Sequence, residues 1–257
     1  MGPLDGLLVV ALEHALAAPL CSARLAAAGA RVIKVEREEG DFARQYDDVV
    51  KGESTYFVWV NQGKESVVLD LKDAEDCALL HNILQHADIF IQNLAPGAVA
   101  RLGLGSAELT RRYPRLIACN ISGYGETGEY SNMRAYDMLV QCETGLASVT
   151  GGPGEPGRVG ISVCDIAAGL TAYQLILEAL IARWAGLLRF PRCSCRSSLV
   201  GARPSERFPF ILGAASSRDR YFLEACSRTE SFPRPLATDY RRPRTGTGSC
   251  RPGVSSG

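Results

Sequence analysis

Two features of exported or membrane-embedded chains are missing from this 257-residue sequence. It contains no run of about 18 uninterrupted apolar residues, which argues against a membrane-spanning helix. No basic residue precedes the apolar segment 7–12, so the N-terminus does not resemble a secretory signal. We therefore expect a cytoplasmic protein without a membrane partner.

Metal-site spacing is also missing, although nine cysteines are present. No C-x-x-C pair occurs, and the C-x-C formed by Cys193 and Cys195 has no histidine-rich neighbour. These spacings do not fit zinc sites, so we expect no metal. Five cysteines occur in apolar segments and are interpreted as small buried side chains: Cys21, Cys77, Cys119, Cys142 and Cys164.

The balance of charge divides the chain near residue 183, and the segment after it contains arginine but no lysine. Residues 1–183 carry 15 basic and 23 acidic side chains, whereas residues 184–257 carry 13 arginines and 5 acids. The net charge of zero is thus a cancellation of −8 and +8.

The segment 184–257 is rich in Ser, Pro and Gly and shows no sustained helical or strand period. This composition is expected when a GC-rich gene is translated out of frame. We predict one domain over 1–183, followed by a frameshifted or disordered tail over 184–257. A basic nucleic-acid-binding arm is the alternative, disfavoured because such arms usually mix Lys with Arg.

Short apolar runs alternate with helical patterns in residues 1–183, which predicts an α/β fold. Strands are predicted over 7–12, 31–36, 56–60, 66–71, 89–92, 116–121 and 159–164. Helices are predicted over 20–28, 74–86, 108–113 and 137–147, with a long apolar helix from Asp165 to about 182. The expected architecture is a mainly parallel, Rossmann-like sheet with flanking helices.

The turn after the first predicted strand lacks glycine. It reads EHALAAP over 13–19, whereas dinucleotide-binding folds place G-x-G-x-x-G here so that backbone can approach a pyrophosphate. Glu36 ends the second strand, where a ribose-binding acid would stand, but it is weak evidence without the glycines. NAD-dependent chemistry is disfavoured.

A series of segments occurs in a fixed order along residues 4–183. They are GARVIKVE at 29–36, GDFAR at 40–44, NQGKES at 61–66, NLAPG at 93–97, RLG at 101–103, PRLI at 114–117, ISGYG at 121–125, AYD at 135–137 and DIAAG at 165–169. Taken together they closely resemble the class III CoA-transferase family. This is the CaiB/BaiF group, which includes formyl-CoA transferase and the α-methylacyl-CoA racemases.

The resemblance implies that Asp165 is a covalent nucleophile. In the transferase branch the matching aspartate attacks an acyl-CoA thioester and forms a mixed anhydride. Released CoA thiolate then makes an aspartyl-CoA thioester, from which a carboxylic acid acceptor collects CoA. Covalent catalysis divides one difficult transfer into easier steps, and a helix N-terminus favours an ionised carboxylate. The alternative is that Asp165 is simply the N-cap of its helix.

The resemblance also assigns contacts to CoA, which is a substrate and not a resident cofactor. The matching positions are Arg37, Leu69, Lys72, Asn93, Leu94, Ala95, Arg101, Arg134, Ala135, Tyr136 and Asp137. Arginine suits phosphate because its planar guanidinium donates paired hydrogen bonds. The alternative for Arg37, Lys72 and Arg101 is a solvated surface charge, and Glu39 and Asp41 are candidate partners for Arg37.

The racemase branch is the alternative enzyme. It removes the proton next to the thioester with a His/Asp pair, a general acid–base task. Its histidine falls where this chain has Tyr136. We therefore favour transfer.

Family members continue after the position of Arg183 with roughly as many residues again and form an interlocked homodimer. No segment of 184–257 resembles the glycine-rich loop that closes over the nucleophile in the transferases. We therefore predict impaired activity for this chain. The non-enzyme alternative is a truncated relic that binds CoA or misfolds.

Overall fold

The structure is a computed structural model that describes residues 1–126, 128–152 and 154–186, together with the backbone of residues 192–196. The chain divides into two units, Met1–Phe222 and Leu223–Gly257, and every described residue lies in the first. Most of the predicted tail therefore lies outside the described residues.

Six strands form one fully parallel sheet within the described residues, in the order β3-β2-β1-β4-β5-β6. They are β1 Leu8–Leu12, β2 Arg31–Glu36, β3 Lys64–Val68, β4 Ile89–Gln92, β5 Ile117–Ser122 and β6 Arg192–Arg196. The central strands β1, β4 and β5 are almost fully buried, in keeping with their mostly apolar sequences. The predicted α/β class is confirmed.

The described connections contain helices and one 3-10 turn, Phe42–Gln45. The helices are α1 Ala17–Ala27, α2 Thr55–Asn61, α3 Ala74–Leu84, α4 Ala98–Arg101, α5 Ser106–Arg112, α6 Asp137–Glu143, α7 Leu146–Thr150 and α8 Val163–Trp184. Pro19 lies in the first turn of α1, where its missing N–H costs no helical hydrogen bond.

Alternate residues of β1 face two different helical layers. Val9 and Ala11 pack with residues of α1 and α8, whereas Val10 and Leu12 pack with residues of α3 and α5. By length and composition α8 could also cross a membrane, but core helices meet the same criterion and one such helix is weak evidence. Its side chain Ile176 is fully buried in the layer beside the sheet.

Two predicted strands are wrong. Residues 56–60 form helix α2, because Ser54 caps it: the Ser54 Oγ accepts a hydrogen bond from the N–H of Phe57 at 3.4 Å. Residues 159–162 are described and form no strand, and α8 begins at Val163. The helical pattern over 137–147 is divided at Gly145, whose φ of 76° ends α6 and precedes α7.

Strand β6 was not predicted. It pairs with β5 in parallel register and lies inside the segment 184–257, where no regular strand was expected. The segment RCSCR contains no β-branched or aromatic residue, so its composition gave little indication of a strand.

Candidate active site

The carboxyl ends of the parallel strands lie along one edge of the sheet, which is where ligands bind in open α/β folds. Arg37 follows β2, Leu69 follows β3 and Asn93 follows β4. Residues 134–137 pass close to the end of β5. The approach is so close at Gly123 that a Cβ there would collide with Ala135. The fold therefore gathers segments that are far apart in sequence.

Asp165 is the third residue of α8 and not its N-cap, so the N-cap alternative is wrong. Ser162, the N-cap residue, makes no side-chain capping hydrogen bond. Instead, Oδ1 of Asp137 on α6 accepts the backbone N–H of Cys164 at 2.8 Å and of Asp165 at 3.4 Å. A residue 28 positions away thus caps the helix that carries the predicted nucleophile.

Close packing places the first turns of α8 beside the start of α1. Gly169, one turn after Asp165, faces that turn, and a Cβ there would lie 2.5 Å from the carbonyl oxygen of Ala17. Ile166 packs against the small cluster of Leu16, Leu20 and Val60. The glycine of the DIAAG segment therefore has a packing role.

Burial and the nearby charge of Asp137 raise the pKa of Asp165 to about 6. From the helix dipole alone we expected a stabilised carboxylate, and this shift shows that burial and the like charge prevail. Because the pKa remains below 7, the group is still mostly ionised at neutral pH. An ionised but unusually basic carboxylate is suited to nucleophilic attack.

The turn between β1 and α1 is held by side chains from two other loops. Asn93 accepts the N–H of His14 through Oδ1 at 3.0 Å and donates from Nδ2 to its carbonyl at 2.9 Å. Oδ1 of Asp41 accepts the N–H of Ala15 at 3.1 Å. These contacts hold Ala15 at a φ of 62°, which L-residues rarely adopt. Burial lowers the pKa of His14, so its imidazole is neutral at pH 7.

A buried ionic network supports this turn from below. Lys34 donates to Asp41 Oδ2 at 2.7 Å, and Lys64 donates to Glu13 Oε1 at 2.7 Å. Oδ1 of Asn61 accepts from both ammonium groups at 3.1 Å. Two cations with buried side chains are thus balanced by two buried anions, as charges away from water require.

Glu36 is committed to protein contacts and is not available to a ribose. Its oxygens accept from Arg44 at 2.8 Å, from Ser66 at 2.6 Å and from the backbone of Asp41 at 3.0 Å. Burial alone would raise the pKa of Glu36, but these hydrogen bonds outweigh it and lower the pKa to about 2. The Glu36 carboxylate thus connects β2 to the 3-10 turn and to β3.

A row of aromatic rings runs along the same edge. The rings are those of His14, Phe42, Tyr46, Tyr56 and Trp59, with centroids 5.1 to 6.0 Å apart between neighbours. Tyr46 is about half exposed, and burial together with the charges of Asp41 and Asp165 raises its pKa. The row thus provides a partly open apolar wall near the carboxyl group of Asp165.

The residues matched to CoA contacts differ in what the structure makes available. Four cations on different segments are exposed at or near the edge: Arg37, Lys72, Arg101 and Arg134. Arg37 pairs with Glu39 at 3.4 Å, whereas Asp41, the other candidate partner, pairs with Lys34.

Of the uncharged and acidic matches, Tyr136 and Ala95 are exposed. The Leu69 side chain is buried, Leu94 packs partly into the same apolar layer, and Asn93 holds the His14 turn. Asp137, also matched to CoA, directs its carboxylate to α8.

Several site residues were not identified from the sequence, above all Lys34, Lys64, Asn61 and Gln141. A signal existed only for Lys34, which interrupts the apolar strand RVIKVE at a position where the chain is buried. The other three depend on partners from 3 to 51 positions away, which no local pattern reveals. Across the described residues, no group of three or more His, Cys, Asp or Glu could hold a metal ion.

The fold is a parallel α/β domain. Its candidate site has a partly buried carboxylate with a raised pKa, Asp165, in the first turn of α8. The sequence matches the CoA-transferase family III over residues 4–186. The chain therefore belongs to CoA-transferase family III, and the resemblance drawn from its segments is confirmed.

Known relatives agree with this assignment. The chain is 36% identical to an acetyl-CoA:oxalate CoA-transferase of Acetobacter aceti, over 90% of this chain and 65% of that protein. It is 34% identical to a succinyl-CoA:glutarate CoA-transferase of Homo sapiens, over 84% of this chain and 50% of that protein. A CaiB/BaiF family protein from Brucella suis has the same fold, with a TM-score of 0.69 and 36% identity over 74% of this chain and 52% of that one. The chain thus spans about half to two thirds of their lengths.

Proposed function

We propose that this chain is the nucleophile-bearing part of an acyl-CoA:carboxylate CoA-transferase. The observation that carries the proposal is Asp165, ionised at neutral pH yet with a pKa raised to about 6 by burial and by Asp137. The names of the relatives support the substrate class, since each joins an acyl-CoA to a dicarboxylate acceptor.

In the proposed reaction the Asp165 carboxylate attacks the thioester carbonyl, and the C–S bond breaks to release CoA thiolate. The thiolate then attacks the aspartyl carbonyl of the mixed anhydride, and the donor acid leaves. The acceptor carboxylate attacks the aspartyl-CoA thioester, and thiolate leaves again. This thiolate then attacks the acceptor's carbonyl in the second mixed anhydride, which forms the new acyl-CoA and releases the Asp165 carboxylate. No external oxidant or proton source is needed.

The exposed cations support CoA binding at the edge of the sheet. Arg37, Lys72, Arg101 and Arg134 would meet phosphate groups, since guanidinium and ammonium groups bind phosphate. At Leu69, whose side chain is buried, a contact with CoA falls to the main chain. Racemisation is not favoured, because an exposed tyrosine, Tyr136, stands where that chemistry needs its histidine. A cytoplasmic location, an interlocked homodimer and impaired activity of this chain also stay predictions.

One experiment tests the function. The 257-residue chain is incubated with acetyl-CoA or succinyl-CoA, and the peptide containing Asp165 is examined by mass spectrometry, with Asp165→Asn as control. An adduct on Asp165 that is absent from the control supports the proposal. CoA-dependent thermal stabilisation without an adduct would favour a CoA-binding relic, and neither effect would favour a non-functional chain.

A further inference from the structure

Two side chains of α6 together hold the segment that leads into α8. Asp137 and Gln141 lie one turn apart on the same face of α6, and Gln141 is fully buried. The Gln141 Nε2 donates to Asp137 Oδ2 at 2.7 Å, and its Oε1 accepts the N–H of Val159 at 2.8 Å. With the two bonds from Asp137 to the start of α8, this gives one connected network.

The network explains why α8 begins where it does. Its own N-cap residue supplies no side-chain acceptor, so the first free N–H groups of the helix depend on α6. One Asp137 oxygen is used for α8 and the other for Gln141, which leaves the carboxylate little freedom to turn away.

We propose that Asp137 is a positioning residue for Asp165: held by Gln141, it fixes the start of α8 and places its carboxylate beside the nucleophile. The inference deepens the proposed function and rests on it. It assigns to Asp137 a role different from the CoA contact that the resemblance implied.

The charge has a chemical consequence. Asp165 loses its negative charge when it becomes part of an anhydride, so repulsion from Asp137 is present before the step and relieved during it. An interaction that disfavours the ground state more than the transition state lowers the barrier. The same repulsion makes the Asp165 carboxylate more basic, and a more basic carboxylate is the stronger nucleophile.

Other ionisable groups lie on the elements that surround Asp165. Tyr46 follows the 3-10 turn, and Cys164 precedes Asp165 on its own helix. On the neighbouring elements, α1 carries Cys21 and Arg24, and β5 carries Cys119. Arg24 lies over the ring of Tyr173, two turns further along α8. Burial and the charge of Asp137 are the two causes that raise the pKa of Asp165.

The test uses variants of the full 257-residue chain that remove the charge of Asp137 while keeping an acceptor for α8. Asp137→Asn keeps one oxygen that accepts from α8, removes the charge and gives up the hydrogen bond from Gln141, because an amide nitrogen cannot accept it. Glu143→Gln is the matched control, because it removes an exposed acid from the same helix. The titration of Asp165 is followed by NMR of 13C-labelled aspartate carboxyl groups, with Asp165→Asn assigning the signal.

We expect the Asp165 midpoint near pH 6 in the wild type and in Glu143→Gln, and lower by up to about one unit in Asp137→Asn, since burial contributes the larger share of the rise. The acid limb of the adduct-forming rate should move with it, and the rate above pH 7 should fall several-fold. A purely structural role of Asp137 would move neither the Asp165 titration midpoint nor the acid limb of the rate profile.

An unchanged Asp165 midpoint in folded Asp137→Asn overturns the inference. If Asp137→Asn does not fold, Asp137→Ser, a neutral residue that also caps helices, takes its place under the same criterion. Failure of the proposed function is distinguishable, because it is the lack of any wild-type adduct on Asp165, whatever the titration gives.

Discussion

Two groups of ionisable side chains near the sheet edge, one buried and one partly buried, are balanced in opposite ways. Beneath the β1–α1 turn, Lys34 and Lys64 face Glu13 and Asp41 with every charge paired. At the start of α8, Asp137 and Asp165 bring two like charges together. Pairing stabilises a charge that burial would disfavour, whereas a like-charged neighbour stores free energy that a reaction can use.

This difference predicts which side chains maintain the fold and which reduce its stability. Residues of the paired network should lower the free energy of unfolding when changed. Replacement of the nucleophile should raise it, because functional groups are often kept at the expense of stability.

The largest effect is expected for Lys34→Met. It leaves Asp41 buried without its cation at 2.7 Å and should lower the free energy of unfolding by about 3–5 kcal/mol. Urea unfolding measures this change. The matched control is Arg31→Met on the same strand, whose exposed pair with Glu65 should contribute far less. Equal losses in the two variants would contradict the paired-network interpretation.

A smaller effect, dependent on pH, is expected for Glu36→Gln. Since the pKa of Glu36 is about 2 in the fold and ordinarily 4.5, its ionised form stabilises the protein above pH 4.5. That contribution is lost as pH falls towards 2. Wild type should therefore exceed Glu36→Gln by about 2 kcal/mol at pH 6 and by almost nothing near pH 2.

Unfolding curves at a series of pH values measure the Glu36 effect. Glu65→Gln, which alters an exposed carboxylate on β3, is the control and should show little pH-dependent difference. A Glu36→Gln difference that stays constant from pH 6 to pH 2 would argue against the lowered pKa.

The smallest effect has the opposite sign and concerns Asp165→Asn. Because the folded pKa is about 6 and the ordinary value is 3.8, the folded state binds more protons between these values. Wild-type stability should therefore fall as pH rises from about 4 to 6. Asp165→Asn avoids this loss and should be about 1–2 kcal/mol more stable at pH 7.

Thermal and urea unfolding at pH 4 and pH 7 measure this reversal. The same variant should form no adduct, so stability and chemistry would change in opposite directions. If Asp165→Asn were less stable than wild type at pH 7, the Asp137–Asp165 pair would not reduce the stability of the fold, and the contrast with the paired network would be wrong.

Most of the fold could be predicted from the sequence because its central strands are buried on both faces. Strands β2 and β4 have the predicted bounds, and β1 and β5 differ by one residue at one or both ends. The prediction was wrong for α2, where a serine cap outweighs β-branched and aromatic residues. It also missed β6, whose strand conformation depends on pairing with β5.

The candidate site could be predicted only in part. The DIAAG segment identified Asp165 because covalent chemistry at that position belongs to a recognised family. No local pattern indicated that Asp137 would cap α8, since its two partners lie 27 and 28 residues further along the chain.

The sequence by itself determined the parallel α/β class, the family and the residue proposed as nucleophile, because apolar runs and ordered segments are local properties. Only the tertiary structure decided the electrostatic surroundings of those residues. Lys64 meets Glu13 across 51 positions, and Asp165 meets the charge of Asp137 across 28. Charges interact through space and burial, so their pairing, and with it the pKa of Asp165, exists only once the chain has folded.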